Sequence, residues 1–388
     1  MHRLLSLGGM LLLFLVGCQP VATAVPSMTT SVSLFPSATL PPLPTQPPSP
    51  TATATVQPAT ATPDTLAESL ATHMDNLAVR GAFTGSVLVA REGQILLSQG
   101  YGFADQAQQI PNSAETRFRI CSITKQFTAM AILMLQQRGA LDVHDTVCSY
   151  LDPCPSAWQA ITIHHLLVHT SGIPDFVDLT DYESFKGLPT TPLELIARFR
   201  DLPLLFSPGD TWSYSNSGYI VLGYIIERVS GQTYADFIQD NIFTPLHMED
   251  SGYDPAETTI AVGYLDRWDV AGYVDASVAY AAGALYSTVE DMYRWDQALY
   301  TEQLLPQDLL DDLFAPYADT PIGSYGYGWF TSREYNQQVI EHGGGGDGFI
   351  TLIKRFPRDR VTLILLSNRE STDIGAIADA LAGMVFGE

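Results

Sequence analysis

Residues 19–63 carry no charged side chain, and Pro, Thr, Ser and Ala dominate them, as in Pro41-Pro42-Leu43-Pro44 and Thr51-Ala52-Thr53-Ala54-Thr55. Such a stretch has too little apolar surface to repay the entropy of ordering it, so it forms no core. Proline holds it semi-extended, at about 3.1 Å per residue where it adopts polyproline II. Whatever folds must therefore come from residues 64–388. That remainder is large enough: hydrophobic types make up 46% of the 388 residues, far above what a disordered chain carries.

Ahead of the uncharged stretch, Arg3 precedes an apolar run over residues 4–16. The run is shorter than the roughly 20 residues of a membrane span and has the layout of a signal peptide. It ends in Leu15-Val16-Gly17-Cys18, which resembles the bacterial lipobox. The resemblance implies a lipoprotein signal peptide over 1–18, with Cys18 as the lipid-carrying first residue of the mature chain. Residues 19–63 then form a disordered linker, and the domain over 64–388 is exported and held at the outer face of a bacterial membrane. Two acyl chains suffice for stable anchoring. With 42 acidic against 19 basic residues, net −23, the chain repels phosphate backbones, which argues against a nucleic-acid partner.

Within 64–388 the pattern is of strands and helices at both ends and helices between. A helical period covers 64–80. Alternating apolar runs at 85–90 and 95–100 flank Glu92-Gly93, a hairpin signal. Strands follow at 338–341, 349–356 and 360–367, the last two joined by Pro357-Arg358-Asp359, and an apolar helix over 374–386 closes the chain. The middle, roughly 141–270, is rich in Pro, Gly and helical patterns such as 220–229. These observations predict an α+β fold: an antiparallel sheet built from both termini and flanked by the terminal helices, with a mainly helical inserted subdomain and a cleft between them.

Beyond Cys18, three cysteines remain. Cys148 and Cys154 flank a short loop and can close a small disulfide if the Cα geometry permits. Cys121 is left over, as a buried small hydrophobe.

Three segments carry chemistry. Ser122-Ile123-Thr124-Lys125 opens an apolar helix over 127–135 that Gly139 stops. Spacing i, i+3 puts hydroxyl and ammonium on one helix face. A serine alcohol becomes a nucleophile only when a base takes its proton, and a desolvated lysine can serve. Only three lysines occur, Lys125, Lys186 and Lys354. The second segment is Tyr214-Ser215-Asn216, between a loop and a helix beginning near Ser217; a phenol can shuttle protons and an amide can hold a carbonyl or the lysine. The third, Glu341-His342-Gly343-Gly344-Gly345-Gly346-Asp347, sits at a strand edge, where glycine lets a substrate approach and free N–H groups can face an oxyanion.

In this order, serine-x-x-lysine, tyrosine-x-asparagine and histidine-x-glycine resemble the class C β-lactamases and penicillin-binding proteins, a superfamily that also holds DD-peptidases and esterases. Further matches are Ile161-Thr162-Ile163-His164-His165-Leu166-Leu167-Val168-His169-Thr170-Ser171-Gly172, Ser207-Pro208-Gly209, Ala282-Gly283-Ala284-Leu285-Tyr286-Ser287-Thr288 and Tyr325-Gly326-Tyr327-Gly328-Trp329. The resemblance implies a β-lactamase/transpeptidase-like fold and an acyl-enzyme on Ser122. Lys125 and Tyr214 move protons, Asn216 orients substrate or lysine, and His342 completes the catalytic set. The N–H groups of Ser122 and Gly345 make the oxyanion hole, with Gly344 beside them. No metal or cofactor is called for. The substrate is a small ester, peptide or β-lactam.

One departure bears on specificity. The class C enzymes have Lys-Thr-Gly where this chain has His342-Gly343-Gly344. The cation and hydroxyl that grip a β-lactam carboxylate are weakened, which favours esterase or D-amino-acid peptidase and carboxypeptidase activity over β-lactamase activity. Arg355, on the next strand, is a candidate substitute cation. The pair His165 and His169 has metal-ligand spacing, but no glutamate follows His165, so structural roles are expected. No Gly-x-Ser-x-Gly elbow occurs. The competing reading is a non-hydrolytic penicillin-recognising sensor, which would be expected to lose the lysine or the tyrosine.

Overall fold

The computed structural model describes residues 63–254 and 259–388. The expected signal peptide, Cys18 and the linker up to residue 62 lie outside the described residues. Among the described residues no helix is long and apolar enough to cross a membrane.

In chain order the main elements are α1 (Pro63–Val79), β1 (Gly85–Arg91), β2 (Gln94–Tyr101), α2 (Thr124–Gln137), α3 (Asn216–Ser230), α4 (Ala276–Gly283) and α5 (Val289–Ala298). They are followed by β3 (Ala318–Thr320), β4 (Gly323–Tyr325), β5 (Phe330–Glu334), β6 (Gln337–Gly346), β7 (Phe349–Phe356), β8 (Val361–Ser367) and α6 (Ile374–Phe386). The strands form one eight-stranded sheet in the order β2-β1-β8-β7-β6-β5-β4-β3. Every neighbour is antiparallel. First and last strands meet inside it, Gly85 opposite Ser367 and Arg91 opposite Val361. The helical segment is inserted between β2 and β3, as the sequence implies.

Strand periodicity sorts the core into two layers. Val87 and Val89 of β1 and Val361, Leu363 and Leu365 of β8 pack with Leu70 and Met74 of α1 and Leu381 of α6. Their neighbours Leu88, Ala90, Ile364 and Leu366 face the other way, into the larger core that holds the helical segment. Helix α2 lies at the centre of that core. Twelve of its residues are buried, from Thr124 through Leu135, the polar Thr124, Lys125, Gln126 and Thr128 among them. A lysine on such a helix is desolvated by its position alone.

Cys148 and Cys154 are joined, with Cα atoms 5.3 Å apart. The ring is short, so little chain entropy is removed from the unfolded state. Replacing both with serine should cost roughly 2 kcal/mol, read as the shift of the urea midpoint under non-reducing conditions. A loss above about 4 kcal/mol would mean the bridge holds more than its own loop.

Candidate active site

Ser122 lies one element earlier than its sequence position suggested. It belongs to a 3-10 turn, Cys121–Ile123, that leads into α2. The preceding Cys121 has φ 49°, a left-handed conformation that costs a non-glycine residue on the order of 1–3 kcal/mol. Neighbours hold the turn in place: Ile120 N–H donates to the Leu285 carbonyl at 3.0 Å, and Thr351 Oγ1 donates to the Ile120 carbonyl at 3.0 Å. Burial pushes the Cys121 thiol up to about 12, so it stays protonated at neutral pH, although the side chain is only partly buried and lines the cavity beside Ser122.

Lys125 is fully buried. Its Nζ donates to Asn216 Oδ1 at 2.8 Å and to the Ala282 carbonyl at 2.9 Å, and stands 3.1 Å from Ser122 Oγ. Burial pulls its pKa well below the ordinary lysine range, while the Asp175 carboxylate pulls it back up. Asn216 and Ala282 offer only oxygens here. When Lys125 is neutral, its two N–H bonds are committed to them, and the remaining lone pair faces the serine hydroxyl. The Ala282 carbonyl is free to accept because it lies in the last turn of α4, where carbonyls have no partner within the helix.

The Tyr214 phenol is hydrogen-bonded to Ser122, and burial raises its pKa above the ordinary tyrosine value. Lys125 Nζ lies 4.8 Å from the centre of its ring. His169 packs on the other side, ring centres 4.3 Å apart, and accepts from the Ser215 backbone N–H through Nδ1 at 3.1 Å. His165 Nδ1 accepts from the Thr162 N–H at 3.2 Å, closing a helix cap. Both histidines are structural, and no group of three or more metal-binding side chains occurs among the described residues.

His342 is buried behind Tyr214, with ring centres 6.4 Å apart. Its Nδ1 lies 2.6 Å from the Gly343 carbonyl, which can only accept, so Nδ1 carries the proton. Burial and the Lys125 charge push its pKa down to about 3. The ring is therefore neutral, and Nε2 accepts from the Tyr325 hydroxyl at 3.0 Å. This side chain is no cation in the cleft; its hydrogen bonds go to Tyr325 and Gly343, and its ring lies beside that of Tyr214.

Strand β6 continues through the glycines. Its outer partner stops at Phe330, opposite Glu341, so residues 342–346 present a free edge beside Ser122. Gly344 is needed for this approach, since a Cβ there would fall 2.3 Å from the Ile120 carbonyl oxygen. Gly345 faces open space and, with Gly346, Ser122 and Asn216, lines a cavity of about 630 Å³. Gly343 pairs with Leu352 and lies on the face that carries Glu341 and Lys354. A hydroxyl at 343 would point away from Ser122, so, contrary to expectation, the glycine there takes nothing from a carboxylate in the cleft, and only the missing cation at His342 bears on it.

Arg355 is no substitute cation. It is fully buried under α5, ion-paired to Asp296, and stacked near Tyr300, Phe314 and Trp329. Among the described residues lining the cavity, Lys186 is the one cation, and it is tied to Glu183 at 2.8 Å. Three carboxylates line the same space: Glu183, Asp347 and Glu370. Two contributors escaped sequence reasoning. Ala282 acts through its backbone carbonyl, which no side-chain pattern reveals. Asp175 accepts from both the backbone N–H and Nδ2 of Asn216, at 3.0 and 2.8 Å. Its one sequence signal is an Asp placed after Gly172-Ile173-Pro174, where it caps the turn Phe176–Asp178.

Fold and site together define a serine hydrolase. The chain belongs to the beta-lactamase family, whose model matches residues 66–383. It is similar to a penicillin binding protein from Bacillus halodurans, at 30% identity and TM-score 0.71, covering 80% of this chain and 99% of that one. It is also similar to the D-amino acid amidase from Ochrobactrum anthropi SV3 complexed with D-phenylalanine, at 26% identity and TM-score 0.72, covering 83% and 99%. The octameric penicillin-binding protein homologue from Pyrococcus abyssi matches at 26% identity and TM-score 0.75, covering 83% and 77%.

Proposed function

We propose that this protein hydrolyses small esters or D-amino-acid peptides and amides through an acyl-enzyme on Ser122, at the outer face of a bacterial membrane. The observation that carries the proposal is the aim of the lysine: Nζ stands 3.1 Å from Ser122 Oγ with its other two bonds held by Asn216 and Ala282. In the first half-reaction Ser122 Oγ bonds to the substrate carbonyl carbon and gives its proton to Lys125. Tyr214 passes a proton to the departing alcohol or amine and regains one from Lys125. The N–H groups of Ser122 and Gly345 face the developing oxyanion, each worth roughly 3–4 kcal/mol in other hydrolases. A water then attacks the acyl carbon along the reverse proton route. The location rests on the sequence of residues 1–63, with Cys18 as the lipid site.

Charge favours uncharged or amine-bearing substrates. A β-lactam brings a carboxylate, yet His342 is buried and neutral, the cavity's Lys186 is already paired, and three carboxylates line the same space. The amidase relative supports acyl groups derived from D-amino acids. The test is a panel of p-nitrophenyl acetate and butyrate, D-amino-acid amides and a chromogenic cephalosporin, run on the purified domain. We expect kcat/KM for an ester or an amide to exceed that for the cephalosporin. A faster cephalosporin would establish β-lactamase activity instead, and acylation without turnover on the whole panel would establish a sensor.

A further inference from the structure

The Asp175 carboxylate lies outside the nucleophile, base and proton shuttle, yet it is buried against the residue that holds the base. We infer that Asp175 is a positioning residue: it fixes the side-chain amide of Asn216 in the one orientation that keeps the Lys125 lone pair on Ser122. This rests on the acyl-transfer reading of the same site.

An ionised carboxylate can only accept. Asp175 Oδ2 takes the Asn216 backbone N–H at 3.0 Å and its side chain at 2.8 Å, so the group facing Asp175 must be the amide nitrogen. The amide oxygen then faces Lys125, at 2.8 Å. Turned over, the same amide would aim its N–H bonds at Lys125. They would capture the lone pair that Ser122 needs, and the serine proton would have no acceptor. The Ala282 carbonyl cannot replace the lost constraint, since it occupies only one of the two N–H bonds. Val177 N–H donates to the other carboxylate oxygen at 3.4 Å and steadies the Asp175 side chain from the loop.

Asp175 also acts on Lys125 through its charge. The groups facing the ammonium are Asp175, Cys121, Tyr214, Tyr219, His169 and His342. The histidines are neutral and the thiol and phenols protonated, so the one negative charge among them is that of ionised Asp175, whose own pKa burial raises while its N–H donors and Lys125 lower it. Removing that charge lets burial lower the lysine pKa further. A base is active when neutral, so the acid limb of its rate profile must then move to lower pH.

The experiment measures the rate of Ser122 labelling by a fluorophosphonate as a function of pH. In that step the Oγ–P bond forms, fluoride leaves, and Lys125 takes the proton. Wild type, Asp175→Asn, Asn216→Ala and the double variant are compared. For Asp175→Asn we expect a plateau about tenfold to a hundredfold lower, the size of a weakened general base, with the acid limb displaced to lower pH. In the Asn216→Ala background the same change should lower the plateau by less than about threefold, because the two residues act as one unit. An unchanged wild-type rate in Asp175→Asn, an unmoved acid limb, or a full additional loss in the double variant would each overturn the inference. A folded fraction that is constant with pH scales the rate without moving the limb, and circular dichroism of each variant over the same pH range establishes that constancy. Absence of labelling at Ser122 in the wild type would instead strike the acyl-transfer reading itself.

Discussion

Ser122→Ala should lower ester turnover by at least about three orders of magnitude and leave the fold in place. The size follows from the covalent step: the alanine variant has no atom to bond to the acyl carbon, and only oxyanion and binding contributions remain. The fold is spared because one hydroxyl is lost from a half-buried turn. Lys125 keeps two of its three partners, Asn216 and Ala282. Stability should change by about 1 kcal/mol or less. Turnover of p-nitrophenyl butyrate beside a urea denaturation curve measures both. Turnover within tenfold of wild type would remove Ser122 from the mechanism.

The largest stability effect is expected far from the cleft. Asp296→Ala should cost about 3–5 kcal/mol, since it strands the buried Arg355 guanidinium. Asp296 also accepts from Thr362 Oγ1 at 2.7 Å and so ties α5 to β8. The pair's net worth against an apolar replacement is far smaller, because both charges are taken out of water. Asp296→Leu combined with Arg355→Met should therefore recover most of the loss, the rings of Tyr300, Phe314 and Trp329 offering the new methionine an apolar bed. Urea midpoints of the two variants decide it. A double variant no more stable than Asp296→Ala would show that the ion pair itself holds α5 to the sheet.

The sheet's central strands were legible in the chain because strands buried on both faces read as short, nearly continuous apolar runs bounded by turn signals. The bounds of β7 and α6 coincide with the ranges read from sequence, 349–356 and 374–386. The strands at the opposite end of the sheet from β2 were not legible. β3 and β4 have three residues each and lie at the exposed edge, too short to show a period. In β6 the glycines erase the alternation that would have extended 338–341 to Gly346.

At the site, Ser122, Lys125, Tyr214 and Asn216 were found from motif order and do come together. Spacing could not say that Ser122 sits on a 3-10 turn, nor that Arg355, on the strand next to the third motif, is enclosed by α5. Both depend on packing between segments distant in the chain. Asp175 and the Ala282 carbonyl were hidden for a related reason. Each acts through hydrogen bonds to residues far away in sequence, and an aspartate at a turn has an ordinary local explanation as a cap.

The central claim is that Ser122 carries the acyl group. It is tested most directly by treating the wild-type domain with a fluorophosphonate and locating the adduct by peptide mass spectrometry. One adduct per chain, on the peptide that contains Ser122, is the predicted result. An adduct on another serine, or intact ester hydrolysis with Ser122 unmodified, would contradict it.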